Sequence, residues 1–119
     1  MATKAELREA LDDYIIRANR NDRVRRTLRS WSCVMHLQAT DIEAAFTLTI
    51  RDGELTTLVE GSQGKADLIV SGTSEDLTNI FWGDENPASN YMQGAITVRG
   101  SQEDVMRLDA MAMFIFLKE

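Results

Sequence analysis

The chain has 119 residues, 44% of them hydrophobic, and a net charge of −6, which is typical of one globular domain and argues against a disordered chain or a general nucleic-acid binder. Its single cysteine, Cys33, excludes an intrachain disulfide and a four-cysteine zinc site. No apolar run approaches the roughly 20 residues that a membrane-spanning helix needs. The charge is uneven, because residues 17–29 contain six arginines and one aspartate and therefore carry +5.

The first thirty residues predict two helices. Thr3 and Glu6 have the spacing of a capping box, and apolar residues recur at helical intervals after them: Leu7, Leu11, Tyr14, Ile15 and Ala18. Residues 19–22 predict a break between the helices. Val24 and Leu28 then indicate a second, short helix with the arginines on its outer side.

The next segment, up to residue 71, predicts four strands separated by turns. Period-two alternation of apolar residues, in β-branched and aromatic company, favours strands over residues 31–38, 43–50, 55–60 and 66–71. Asp52 and Gly53 lie between the second and third of these strands. An Asp-Gly pair in this position predicts a tight hairpin, because glycine accepts a positive φ, so at least part of the sheet is antiparallel.

From Ser74 onward the period of the apolar residues becomes helical. Ser74 is placed to cap a helix that ends near Gly83, and residues 86–93 predict another short helix. Residues 95–99 predict a fifth strand, and Ser101 begins the last helix. Strands followed by helices that cover one face indicate an α+β layer fold.

Several segments resemble parts of a known family. Residues 46–53 resemble its second strand with an Asp-Gly hairpin, residues 66–70 its fourth strand, which begins with Ala-Asp, and residues 74–77 its helix start. The most recognisable block contains Gly83, Asn86-Pro87, Met92-Gln93-Gly94 and a short strand that ends in Gly100. In order and spacing, the chain from about Trp31 to Leu117 resembles the sterol carrier protein type 2 family.

This resemblance implies an α+β fold with a five-stranded, largely antiparallel sheet covered on one face by helices, and an apolar tunnel between sheet and helices. Residues 1–119 then form one lipid-binding domain, with a helical segment at residues 1–30 and the family-like core at residues 31–117. The resemblance implies no catalytic residues, no metal and no cofactor. The expected ligand is a sterol, a fatty acid, a fatty acyl-CoA or a phospholipid, which the domain would bind, with or without transferring it.

Candidate tunnel walls are apolar side chains of this core. Met and Phe suit such walls, because flexible or large apolar groups supply contact area without polar chemistry. We expect lipid contacts from the following residues: Phe46, Leu48, Ile80, Phe81, Met92, Leu108, Met111 and Phe114. Filling of an ordinary hydrophobic core explains any one of them as well, so both interpretations stay open here.

The arginines of residues 17–29 have two interpretations. They form either a solvated helix face paired with the acidic rest of the chain, or a contact for an anionic headgroup or a membrane surface through Arg23, Arg25 and Arg26. Nucleic acid is not an expected partner, because no aromatic residues lie between the arginines as stacking platforms would.

Residues 113–117 are five consecutive apolar residues, which cannot all lie on one face of the last helix. Part of this turn must therefore contact something besides the sheet, and a tunnel lid and a homodimer contact are equal candidates.

The sequence leaves two classes of function open. One is a lipid carrier, and the other is an accessory module of the same fold that dimerises or presents apolar substrates to a partner enzyme.

Catalytic chemistry is not expected. Cys33 and His36 could act as a nucleophile–base pair only from one face, but their odd spacing puts them on opposite faces of a strand. Cys33 is then a small buried hydrophobic residue, and His36 is a surface residue of the strand. The charged N-terminus, without a signal-peptide pattern, predicts a cytoplasmic protein.

Overall fold

The computed structural model describes residues 1–83 and 95–117, so the short helix predicted over residues 86–93 lies outside the described residues. Within the described residues the chain forms four helices and five strands. Their order is α1 (Lys4–Arg20), α2 (Asp22–Thr27), β1 (Cys33–Ala39), β2 (Ala44–Arg51), β3 (Glu54–Glu60), β4 (Leu68–Gly72), α3 (Ser74–Trp82), β5 (Ile96–Gly100) and α4 (Gln102–Leu117).

The five strands form one mixed sheet in the order β3-β2-β1-β4-β5. Neighbouring strands are antiparallel except β1 and β4, which run parallel. The chain reaches this order because β2 and β3 extend one side of β1 as a meander, and β4 then returns to the other side. The predicted α+β fold with a five-stranded, largely antiparallel sheet is confirmed.

Side-chain caps begin the first and last helices, as the sequence predicted. At α1, Glu6 N donates to Thr3 Oγ1 at 3.1 Å and Thr3 N donates to Glu6 Oε1 at 3.0 Å, which completes the capping box. At α4, Asp104 N donates to Ser101 Oγ at 3.1 Å. Both helices therefore start where a short polar side chain accepts a hydrogen bond from an otherwise unpaired N–H group.

The start of α3 differs from the prediction by one residue. Thr73 caps this helix by accepting a hydrogen bond from Asp76 N at 3.2 Å, and Ser74 is the first helical residue. Ser74 is buried, and its N and Oγ donate to the carboxylate of Asp41 at 2.7 and 2.9 Å. These hydrogen bonds hold the pKa of Asp41 below its usual range and join the β1–β2 connection to α3.

The Asp52-Gly53 turn joins β2 to β3. Both residues have positive φ angles, 50° and 79°, as a two-residue type I′ turn requires. Gly53 N donates to Trp31 O at 2.8 Å, and a Cβ atom on Gly53 would lie 2.6 Å from Leu28 O. The turn is therefore packed against the connection between α2 and β1, where only glycine fits.

The helices cover one face of the sheet. On this face the register pairs Met35 with Leu48 and Leu37 with Phe46, and all four side chains belong to one buried cluster with Leu7 of α1. Each of the five is at most 1% exposed. The main hydrophobic core of the protein is therefore close packed between α1 and the centre of the sheet.

The opposite face of the sheet carries His36 and Thr47, which pair across β1 and β2. The connection at residues 61–64 folds over them. Thr47 Oγ1 donates to Gly61 O at 2.7 Å, and His36 Nε2 lies 3.1 Å from Gln63 O. His36 is only 7% exposed, so the expectation of a surface histidine was wrong. The residues around His36 could not indicate its burial, because the loop that covers it follows β3, far along the chain from β1.

Candidate functional site

The described residues form a partly open apolar cavity of about 60 Å³ between the sheet and the helices. It lies where α1, α3 and α4 meet β4 and β5. Its lining consists of Tyr14, Val70, Ile80, Phe81, Ile96, Val98, Leu108, Asp109 and Ala112. The cavity therefore lies at the interface where the family resemblance implies a tunnel.

The register of the strands and the repeat of the helix place the lining residues of β4, β5 and α4 on the faces that border the cavity. In the antiparallel pairing of β4 with β5, Val70 lies opposite Val98. Ile96 is two residues before Val98 and therefore has its side chain on the same face of the sheet. On α4, Leu108 and Ala112 are four residues apart, which places both on one face of the helix.

The wall formed by α1 and α3 is held by aromatic and charged contacts. Tyr14 and Phe81 pack edge to face, with ring centroids 4.8 Å apart. The guanidinium of Arg17 lies 5.8 Å from the centroid of the Tyr14 ring, pairs with Asp13 at 2.7 Å, and donates to Phe81 O. This wall is therefore fixed by directional contacts on its solvent side.

Two polar side chains, Tyr14 and Asp109, interrupt the apolar lining. Burial raises the pKa of the Tyr14 hydroxyl above its usual value, because desolvation disfavours the phenolate. Burial also raises the pKa of the Asp109 carboxyl above its ordinary value of 3.8. Asp109 is nevertheless an exposed residue, so it lines the cavity at its solvent-facing rim. Such a lining suits an apolar group with one polar end.

The cavity is small for a ligand site. Its volume of about 60 Å³ compares with about 300–1,000 Å³ for ordinary ligand pockets. The described residues therefore do not show the expected open tunnel. Within the described residues, a lipid chain would fit if α3 or α4 moved away from β4 and β5.

Three of the expected lipid contacts line this cavity: Ile80, Phe81 and Leu108. Phe46, Leu48 and Met111 instead belong to the buried core and do not border the cavity. Phe114 is half-buried near the end of α4, and Met92 lies outside the described residues.

Six of the described lining residues were not among the expected lipid contacts: Tyr14, Val70, Ile96, Val98, Asp109 and Ala112. The alternation of Ile96 and Val98 on the fifth strand was a usable signal, since it places two apolar side chains on one face. Asp109 carried no such signal, because an acid on an amphipathic helix is ordinarily a solvated residue.

The expected anion contacts do not form one group. Arg25 and Arg26 line an open groove of about 720 Å³ together with Asn19, Asp22, Arg29, Asp52, Gly53 and Glu54. Three arginines and three acids therefore share this groove, and their charges balance. Arg23 lies elsewhere, with its guanidinium 5.9 Å from the centroid of the Phe114 ring.

The apolar run at the end of α4 has a mixed environment. Ile115 is buried, whereas Met113 and Phe116 are half-buried and Leu117 is 52% exposed. Met106, about three turns before Leu117, is 62% exposed. Part of α4 is therefore available for contact with another molecule, in agreement with the expectation that the sheet alone cannot cover this run.

The described part of the chain was also examined for a reactive cysteine, a metal site and a membrane-spanning helix. Cys33 is buried, and burial raises the pKa of its thiol to about 12, so the thiolate needed for nucleophilic attack is disfavoured. Residues 1–83 and 95–117 contain no group of three acidic, histidine or cysteine side chains that could hold a metal ion. In the same residues, no helix is long and apolar enough to cross a bilayer.

Comparison by sequence identifies one family. Residues 13–113 match the profile of the SCP-2 sterol transfer family, which is most of the chain. A comparison with curated proteins found no match. The profile match therefore shows the family to which the chain belongs. The solved structures described next show which proteins share its fold.

Solved structures share this fold at low identity. Sterol Carrier Protein 2 Like 2 from Aedes aegypti has a TM-score of 0.68 at 15% identity, over 89% of this chain and 95% of its own. UbiJ-SCP2, a ubiquinone synthesis protein, has a TM-score of 0.65 at 14% identity, over 87% and 90%. The stereoselective inverting sec-alkylsulfatase Pisa1 from Pseudomonas sp. has a TM-score of 0.59 at 22% identity over 76% of this chain. This chain spans only 14% of the length of that sulfatase.

Proposed function

Because this chain belongs to the SCP-2 sterol transfer family, we propose that it binds one lipid molecule at the apolar cavity between its helices and β4 and β5. Lipid or sterol binding or transfer in general follows from the family and the fold. The observation that carries the proposal is the cavity at the helix–sheet interface, which is apolar apart from Tyr14 and Asp109. Each Å² of apolar surface removed from water there contributes roughly 25 cal/mol.

The hydrogen bonding of α4 restricts enlargement of the cavity to movement of its central turn. Among the described residues, α4 bonds to other elements near its two ends. Trp31 Nε1 donates to Asp104 Oδ1 at 2.9 Å, and Asn21 Nδ2 donates to Phe114 O at 3.3 Å. The central turn around Leu108 meets the cavity through apolar contacts. Any enlargement must therefore bend α4 between these two hydrogen-bonded ends, at a central turn whose apolar contacts are not directional.

The proposed role is non-catalytic. SCP-2 domains are a lipid-binding fold, and the likeness to the sec-alkylsulfatase means that a domain of this kind also occurs as a small part of an enzyme. Among the described residues the cavity lining offers a buried tyrosine and one acidic residue, which is too little for a nucleophile with its base.

A second candidate function is an accessory module of the same fold. It would dimerise through α4 or present an apolar substrate to a partner enzyme. The exposure of Met106 and Leu117 favours it, because exposed apolar side chains on one helix are typical of an interaction surface.

Contact with an anionic headgroup or a membrane surface through Arg23, Arg25 and Arg26 is a further part of the proposal. The exposure of all three arginines supports it. The acids in the groove beside Arg25 and Arg26 oppose it, since they reduce the local positive potential: Asp22, Asp52 and Glu54.

A matched pair of substitutions tests the lipid site. Ala112→Phe fills the cavity from α4, whereas Ala5→Phe adds the same side chain at an exposed position of α1 outside the cavity. Titration with the neutral fluorescent probe N-phenyl-1-naphthylamine measures binding, and native mass spectrometry detects a lipid retained through purification. We expect Ala112→Phe to weaken probe binding at least about tenfold, or about 1.4 kcal/mol, and Ala5→Phe to leave it unchanged.

Two results would contradict this function. A wild-type protein that retains no lipid and binds no probe is not a carrier, and a dimer in light scattering would then favour the accessory module. Equal probe binding by wild type and Ala112→Phe would move the site out of the cavity. Urea unfolding checks that Ala112→Phe is folded, since overpacking typically costs about 1–3 kcal/mol.

A further inference from the structure

Asp109 is the carboxyl group that the described residues contribute to the lining of the cavity. It follows Leu108 on the central turn of α4, and Ala112 lines the cavity one turn later. The residue is exposed, it lines the cavity beside apolar residues, and burial raises the pKa of its carboxyl. This combination locates a negative charge at the mouth of an otherwise apolar site.

No described residue neutralises this carboxyl by an ion pair. The positions three and four residues away on α4 are uncharged: Val105, Met106, Ala112 and Met113. Arg17, which lies over the Tyr14 ring, is paired with Asp13 at 2.7 Å. Burial is the cause of the raised pKa of Asp109, and no cation offsets it. The carboxylate therefore has its hydrogen-bonding and electrostatic capacity free for a ligand.

We propose that Asp109 selects the polar end of the bound lipid, favouring a hydrogen-bond donor such as an alcohol over a carboxylate or a phosphate. This inference rests on the proposed lipid site. A carboxylate only accepts hydrogen bonds, so a ligand hydroxyl at the mouth meets a charged acceptor. A ligand carboxylate or phosphate meets like charge in a partly desolvated position, where repulsion is stronger than in bulk water.

Tyr14, the other polar residue of the lining, does not select between these ligands. Burial raises the pKa of its hydroxyl, so the group stays neutral. A neutral hydroxyl both donates and accepts hydrogen bonds, and it therefore suits an alcohol and a carboxylate alike. Asp109 is therefore the residue that distinguishes a neutral from an anionic polar end. The ligand class that it favours is a lipid whose polar end is a hydroxyl group.

Competition between lipids that differ only in their polar end tests this role. 1-Dodecanol and dodecanoate displace N-phenyl-1-naphthylamine from wild type, Asp109→Asn and Glu9→Gln at about pH 8, where carboxylates are ionised. Asp109→Asn keeps the size and an acceptor oxygen but removes the charge. Glu9→Gln is the matched control, because it removes the same charge from an exposed position of α1 that does not line the cavity.

We expect wild type and Glu9→Gln to bind dodecanol at least about tenfold more tightly than dodecanoate. In Asp109→Asn the ratio should fall to about threefold or less, mainly because dodecanoate binds more tightly. Asp109→Ala provides a second variant. Since it also removes the acceptor, dodecanol should bind more weakly to it than to Asp109→Asn.

An affinity ratio that Asp109→Asn leaves unchanged would overturn selection by Asp109, because the preference then comes from hydration of the free carboxylate alone. The same fall in Glu9→Gln would overturn it too, since any loss of negative charge then has this effect. In both cases lipid binding itself stands. A wild-type protein that binds neither the probe nor either lipid contradicts the lipid site, so the two failures are distinguishable.

Discussion

The helix–sheet interface of this protein has two halves that differ in packing. The packed half consists of α1 with β1 and β2, where the largest side chains are at most 1% exposed: Leu7, Leu11, Met35, Leu37, Phe46 and Leu48. In the cavity half, which consists of α3 and α4 with β4 and β5, Leu68, Leu77 and Met111 are equally buried, but Ile80 and Val98 are half-buried beside a cavity of about 60 Å³. The difference indicates that one half supplies stability and the other has room for a ligand.

The lengths of the strands account for this difference. β1 and β2 have 7 and 8 residues, whereas β4 and β5 have 5 each. A shorter strand offers fewer side chains to the helices, and in β5 only Ile96 is fully buried. Since β5 is also an edge strand, the cavity half is bounded by fewer packed neighbours than the centre of the sheet.

The largest expected effect comes from one substitution made in both halves. We expect Leu48→Ala in the packed half to lower the free energy of unfolding by about 4 kcal/mol, and Leu108→Ala beside the cavity to lower it by about 2 kcal/mol. Leu108 already borders empty space, so its side chain has fewer packing contacts to lose. Urea unfolding of the two variants measures both losses. Equal losses would mean that the halves do not differ in packing.

Alkaline pH provides a second test of the packed half. Burial raises the pKa of the Cys33 thiol from 9.0 to about 12. Above pH 9 the unfolded chain loses this proton while the folded protein keeps it, so the folded state binds more protons and stability falls as pH rises. Below pH 9 the thiol is protonated in both states, and its contribution is fully present.

Unfolding in urea at about pH 8 and about pH 10 measures this contribution. Over this range we expect the wild type to lose about 1 kcal/mol more than Cys33→Ala, which has no thiol to titrate. Other titrating groups affect both proteins equally and cancel in the difference. Parallel pH profiles for the two proteins would show that Cys33 is accessible to solvent in the folded state.

The smallest expected effect is a gain in the cavity half. Thr78 on α3 is buried, and its hydroxyl has no hydrogen-bond partner among the described residues. Thr78→Val keeps the shape and removes the unpaired hydroxyl, so the free energy of unfolding should rise by about 0.5–1 kcal/mol. Thr57→Val, at an exposed position of β3, is the control. A loss of stability in Thr78→Val would mean that the hydroxyl is hydrogen-bonded in solution.

Local signals predicted most of the fold. The capping box of Thr3 and Glu6, the Asp52-Gly53 turn and the period-two runs each depend on residues a few positions apart. The strand boundaries accordingly agree with the structure to within two residues. The cap of α3 was misplaced because Thr73 and Ser74 can both cap a helix, and the choice depends on Asp41, 33 residues away from Ser74.

The site was predicted less completely, for a physical reason. An apolar residue has the same pattern in the sequence whether it fills a core, as Phe46 does, or borders a cavity, as Ile80 does. Which of the two occurs depends on how separate elements meet, and in this fold the meeting of α3 and α4 with two short strands decides it. Asp109 became a candidate only when the structure placed this residue in the cavity lining.

The central claim is that a lipid enters the cavity half and leaves the packed half unchanged. NMR spectra of isotope-labelled Ile, Leu and Val methyl groups, recorded before and after addition of 1-dodecanol, test it most directly. We predict shifted signals for Ile80, Ile96 and Val98, which line the cavity, and unchanged signals for Leu7 and Leu48. Shifts confined to Leu7 and Leu48, or no shifts at saturating dodecanol, would contradict the claim.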